Sequence, residues 1–204
     1  MKKIDNISIG VPAVVVVKKI ADINLIDKLT FILYTTQKPN EKILKEPDVP
    51  VDLLLRHSGQ TDEARLPVKR EEIYDFYDRY TNKIRQESAI GVCSSVNMRQ
   101  NFFHIPMIDF HCDVSDVNLA RLKDFLLYIG QKEGAILESG RSYHYYGIKL
   151  LTVEQWVEFM GKCLLLCTDA GQRYIGHSLM DGFCTLRISG KALHNYIPKV
   201  VTIL

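Results

Sequence analysis

The sequence predicts an α+β fold, and three observations carry that prediction. Apolar residues spaced three and four apart alternate along the chain with short runs rich in β-branched and aromatic residues. Over residues 105–189 these segments read strand, helix, strand, strand, helix, strand, the order of a ferredoxin-like or RNA-recognition-type (RRM-like) layer. The 204 residues, 47% apolar and 25% charged, suffice for one substantial core or two small lobes sharing one.

The apolar run Val11–Val17 is far too short to span a bilayer, follows Asp5 and is closed by Lys18 and Lys19 without a small-residue cleavage pattern. It reads as a buried strand. Ile23, Ile26, Leu29 and Leu33 then predict a helix over 22–34. Residues 35–67 turn polar and proline-rich around one apolar patch, Val51–Leu55, and support no assignment. A helix from about Arg70 is indicated by Ile73, Phe76, Tyr77, Tyr80 and Ile84 on one stripe.

Residues 90–98 and 103–112 read as two strands joined by Arg99-Gln100-Asn101. Ser115 or Asp116 caps a helix carrying Leu119, Leu122, Leu126 and Ile129, and Gly130 bounds its end. Strands follow at 135–138 and 143–150. Thr152 with Gln155 opens a helix through Trp156, Met160 and Cys163 as a capping box, and strands at 172–178 and 183–189 complete the pattern. The chain is expected to be one unit, 1–204, made of an N-terminal αβ part (1–88) and an RRM-like palm (89–204, its regular core about 90–191).

The formal net charge of +2 argues against a histone-like grip on nucleic acid, so a polyanion must be held locally. Five cysteines without regular spacing do not make a disulfide framework; reduced thiols in a cytoplasm are expected.

Two segments carry candidate chemistry. In Pro106-Met107-Ile108-Asp109-Phe110-His111-Cys112-Asp113, strand alternation sends Ile108, Phe110 and Cys112 to one face and Asp109, His111 and Asp113 to the other. Carboxylate, imidazole, carboxylate in a line suits a divalent cation, although a strand with a polar solvent face is the commoner source of such a pattern. In Glu138-Ser139-Gly140-Arg141-Ser142-Tyr143-His144, small residues let the backbone approach an oxyanion, and Arg141 and His144 add charge-assisted donors. A β-hairpin turn with tyrosines in the core is an equal reading. Asp169, closing an apolar run, and Arg187, alternating with Leu186 and Ile188, are individually ordinary.

Taken in order, these segments resemble the catalytic core of the archaeo-eukaryotic primase (primase-polymerase) superfamily over about residues 90–191, in the manner of a small primase-like member. The family's acidic metal pair falls on Asp109 and His111, its Ser-x-His motif on Ser142 and His144, its later Asp on Asp169 and its strand Arg on Arg187. Asn97 and Arg99 fall in the family's substrate-side hairpin. His111 stands where a second carboxylate is usual, which shifts the ligand set toward Mn²⁺; Asp113 can compensate.

The resemblance implies a template-directed nucleotidyl transferase acting in replication or repair, with Asp109, His111 and Asp169 holding Mg²⁺ or Mn²⁺. Ser139, Arg141, Ser142, His144 and Arg187 would bind the nucleotide. Nucleoside triphosphates and a single-stranded DNA template are the implied substrates, with a helicase or DNA-binding protein as partner, no membrane and a cytoplasmic location. A primase-like subunit that binds nucleotide or single-stranded nucleic acid without catalysis is the alternative, and a metal-dependent phosphodiesterase a weaker third.

Overall fold

The computed structural model describes residues 7–36, 60–82, 88–98, 100–166, 169–190 and 196–204. Among them, five α-helices accompany three antiparallel sheets, the α+β mixture that the sequence predicts. The patch Val51–Leu55 lies outside the described residues.

The run Val11–Val17, expected as a strand, instead enters α1 (Ala13–Ile23). Pro12 precedes its first turn, where a missing N–H costs nothing. Ala13, Val14, Val16, Val17, Ile20 and Ala21 are all buried, and that packing outweighs the modest helix penalty of valine. Residues 22–34 depart in the opposite sense. The Asn24 amide closes α1 by donating to the carbonyls of Ile20 at 3.0 Å and Ile148 at 2.9 Å, Leu25 turns at φ 53°, and β1 (Lys28–Thr36) follows. Leu29 and Phe31 are buried on one face of β1 and Ile32 and Tyr34 on the other. A strand covered on both faces loses its polar alternation, and its apolar spacing then imitates a helix.

The first sheet has the order β10-β3-β1-β2, with β2 (Gln60–Lys69), β3 (Ser88–Cys93) and β10 (Thr185–Arg187). Pro67 is tolerated because β2 is an edge strand. A 3-10 turn at Arg70–Glu72 leads into α2 (Ile73–Thr81), where the sequence places a helix, and Phe76 packs on Phe31 with ring centroids 4.9 Å apart.

The second sheet has the order β11-β7-β8-β6, with β6 (Met107–Phe110), β7 (Gly134–Glu138), β8 (Tyr143–Gly147) and β11 (Lys199–Ile203). Between β6 and β7 runs α3 (Asp116–Tyr128), capped by Ser115, whose Oγ accepts from Asn118 N–H at 3.2 Å. The order expected for 105–189 thus holds through its first three strands, with β8 seated between β6 and β7. Then comes α4 (Val153–Leu166), opened by the Thr152–Gln155 capping box through bonds of 3.3 and 3.1 Å.

Beyond α4 the expected order fails. Residues 172–178 belong to α5 (Asp169–Asp181), in which burial at Gly171, Ile175 and Ser178 follows a helical period that one strongly apolar residue could not advertise. The strand expected at 183–189 is β10, which pairs with β3 in the first sheet instead of completing this layer. The layer is closed by β11 on β7, and Gly10 and Val11 extend that edge through bonds of 2.8 and 3.0 Å with Val200.

The two strands expected at 90–98 and 103–112 are each broken in two. A third small sheet, β4 (Ser95–Met98), β5 (Asn101–His104) and β9 (Leu151–Thr152), takes the inner pieces. The break at Ser94 is a junction of all three sheets. Ser94 N–H donates to Cys184 O at 2.8 Å, Cys184 N–H returns a bond to Ser94 Oγ at 3.0 Å, and Ile105 N–H donates to Ser94 O at 2.8 Å. The Cys184 thiol donates to Met107 O at 3.5 Å, and His104 Nδ1 lies 3.2 Å from Ser94 Oγ while its ring stacks on Trp156 at 4.3 Å.

Among the described residues no helix is long and apolar enough to cross a membrane. Ser94→Ala orphans the buried Cys184 N–H, so a loss of about 1–3 kcal/mol in urea-unfolding stability at unchanged m-value is expected. Burial lowers the His104 pKa from 6.5 to about 4. As pH falls from 6.5 toward 4 the unfolded chain takes up this proton first, so stability declines through that window and levels off below it. Denaturation midpoints against pH should show this slope, reduced by one proton in His104→Gln.

Candidate active site

Strands β6 and β8 pair so that Asp109 stands directly opposite His144, with Ile108 opposite Tyr145 and Phe110 opposite Tyr143. Alternation turns Ile108, Phe110, Tyr143 and Tyr145 toward the helices, where Tyr145 meets Phe159 of α4. Asp109 and His144 share the opposite face. Asp109 Oδ1 lies 3.5 Å from His144 Nε2, with the carboxylate side chain 30% exposed and the imidazole 5%. Because β6 ends at Phe110, His111 and Asp113 follow in the exposed segment before α3 and do not continue a line along the strand.

Burial lowers the His144 pKa from 6.5 to about 4, aided by the Arg187 and His111 charges and opposed by the Asp109 carboxylate and the Arg187 backbone. The ring is therefore neutral near pH 7. Its Nε2 faces Asp109, while the buried Nδ1 has no partner at hydrogen-bonding geometry among the described residues.

The turn 139–142 links β7 to β8 beside this pair. Ser139 closes it by donating to Ser142 O through its N–H at 2.8 Å and its hydroxyl at 3.1 Å. Gly140 has φ 111°, a conformation that side chains with a Cβ adopt only under strain. Ser142 Oγ accepts from Cys112 N–H at 3.1 Å, and its hydroxyl also acts on the Cys112 thiol, lowering a pKa that burial raises. Arg141 is exposed at the tip.

Across from this face stands the first sheet. Arg187 of β10 sends Nη2–H to Ser139 O at 2.7 Å and Nη1–H to Tyr196 O at 2.6 Å and to Ser189 O. Tyr34 of β1 packs over Gly91 so closely that a Cβ there would meet Tyr34 Cε1 at 3.0 Å and Thr185 Cγ2 at 2.5 Å. Burial pushes the Tyr34 hydroxyl up to about 12, with Arg187 opposing and Asp109 adding. Tyr146, two residues beyond His144 on the same face, has its pKa raised by burial and then by Tyr34, and its buried hydroxyl has no partner among the described residues.

Sequence reasoning missed Tyr34 and Tyr196, which come from distant segments with no local signal. It also missed Arg65, opposite Ile32 on β2, whose guanidinium sits 4.8 Å over the Phe183 ring and adds a cation to this side.

The geometry thus brings together Asp109, Ser139, Ser142, His144 and Arg187. Asp169 is the first residue of α5, a helix that packs against β6. Its side chain lies outside the described residues, as do Arg99 and Lys191. Among the described residues no three His, Cys, Asp or Glu side chains gather as metal ligands. The partly exposed Asp109 carboxylate and His111, two residues on, are donor types that a divalent cation takes.

A family model described as archaeo-eukaryotic primase 1D-like matches residues 72–202. This chain belongs to that archaeo-eukaryotic primase-like family, whose members typically are nucleotidyltransferases that use divalent metals. No curated protein and no solved structure gives a significant match.

The Asp109 carboxylate raises the His144 pKa against its burial, so Asp109→Asn should lower it further. Imidazole NMR should follow the His144 titration near pH 4 in the natural protein and below it in the variant.

Proposed function

We propose that the chain is a template-directed nucleotidyl transferase of the primase-polymerase type, acting as one unit in replication or repair. The supporting observation is the Asp109–His144 pair at 3.5 Å, set beside the turn that carries the Ser142 hydroxyl. In this reading Asp109 and His111, joined by Asp169 from α5, hold Mg²⁺ or Mn²⁺. The cation, when bound, supplies the positive charge that offsets the triphosphate and favours ionisation of the attacking 3′-hydroxyl.

The protein's own groups do the positioning. Ser142 donates to a triphosphate oxygen, Ser139 helps to shape the turn around it, and exposed Arg141 brings charge from the tip. Neutral His144 can donate from Nε2 to Asp109, fixing the carboxylate's orientation without adding a cation that would compete for it. The buried tyrosines beneath lower the local dielectric, so each of these interactions acts more strongly than in water. Nucleoside triphosphates and single-stranded DNA are the substrates of this reading. The small net charge of +2 suits a chain that relies on a helicase or DNA-binding partner for template grip.

His111, standing where a second carboxylate is usual, favours a second reading, a primase-like subunit that binds nucleotide or single strands without joining nucleotides. Incorporation of labelled nucleotide on a primed single-stranded template with Mn²⁺ separates the two. Product with the natural protein and its loss in Asp109→Ala is the expected result. Binding without product supports the second reading, and undiminished product from Asp109→Ala rejects the site.

A further inference from the structure

We infer that Arg187 and Tyr196 together brace the 139–142 turn, so that Arg187 serves the site as a positioning residue acting through the turn and not by touching the triphosphate. The inference rests on the nucleotide-binding reading above and differs from the role that the family resemblance implies for Arg187.

The guanidinium has five N–H donors, and three of them are committed to backbone carbonyls from three separate segments: Ser139 in the turn, Ser189 after β10, and Tyr196. These are charge-assisted bonds from a half-buried fork, and turning the fork toward a ligand would strand all three acceptors. Tyr196 supplies the other half. Its hydroxyl donates to Glu138 Oε1 at 2.9 Å, and its ring lies 3.6 Å from where a Cβ on Gly140 would stand. Glu138, Ser139 and Gly140 are thus each held from outside the turn by one of these two side chains.

The turn needs such support. Its closure includes the two Ser139 bonds to Ser142 O, and Gly140 brings the largest backbone freedom of any residue. A loose turn would have to be ordered by the ligand, at the ligand's expense in affinity; a braced one offers Ser142 already placed.

Because the brace is a geometric device, charge alone should not replace it. Hydrogen exchange on the unliganded protein reads the turn, and titration with methylanthraniloyl-labelled dATP in the presence of Mn²⁺ reads binding. In Arg187→Lys and in Tyr196→Ala, the amides of residues 140–142 should exchange faster, while those of β1, the fold control, stay as they are. Each variant should weaken nucleotide binding about tenfold, and the double variant should lose no more than the worse single one, since both remove the same brace. Tyr196→Phe keeps the ring and the carbonyl and should lose much less.

Losses that multiply in the double variant, natural affinity in Arg187→Lys, or unaltered exchange in the turn would each overturn the inference. Natural protein that binds no labelled nucleotide overturns the functional reading and the role in binding with it, whereas the exchange measurement reports on the brace independently.

Discussion

The junction at Ser94 is the constraint on which the site depends. One buried serine accepts from Cys184, donates to Cys184 and accepts from Ile105, and its hydroxyl also lies against His104. Cys184 leads into β10 and, through its thiol, holds Met107 at the start of β6. Burial raises that thiol's pKa to about 11, so it remains protonated and able to donate. The consequence is geometric: Arg187 lies three residues beyond Cys184 and Asp109 two beyond Met107, so this knot sets the spacing between the two sides of the cleft. Strands from different sheets have no shared ladder to fix their separation, and here a side-chain hub does that work.

What the hub positions is an electrostatic contrast inside a nearly neutral protein. The chain carries 26 basic and 24 acidic residues, yet Asp109 and Arg187 face a layer of buried tyrosines where either charge is felt several ångströms away. Both act on Tyr34, on Tyr146 and on His144, with opposite signs. Neither charge dominates the cleft. Arg65 and Arg141 stand at exposed positions, while the Asp109 carboxylate is only partly exposed.

Much of this was legible in the sequence where local rules decide the outcome. The caps at Ser115 and Thr152 announce α3 and α4 because a side-chain oxygen three residues before a free N–H is a local event. Asp109 was legible as a candidate from strand alternation and His144 from its place after the small-residue turn, although nothing in the sequence says that they stand opposite each other. Two of the failures share one cause, tertiary burial overriding local preference. Four consecutive valines enter α1 because their surroundings are apolar on nearly every side, and β1 mimics a helix because both its faces are covered. β10 was found as a strand but assigned to the wrong sheet, since the choice between β3 and β6 as neighbour depends on Ser94 and Cys184, which no periodicity reveals.

The pairing of Gly10 and Val11 with Val200 bears on how the fold is reached. A ladder between segments so distant along the chain carries a large loop-closure cost and forms only after the elements between them have collapsed. Ala13 N–H, at the first turn of α1, donates to Pro198 O at 2.9 Å, so the helix gains this anchor only when β11 is in place. During synthesis, α1 and the bare edge of β7 must therefore wait for β11 to emerge from the ribosome. In that interval an apolar helix and an unpaired strand edge are exposed together, which makes assembly of this seam the step at which the nascent chain is most open to chaperone capture or misassociation.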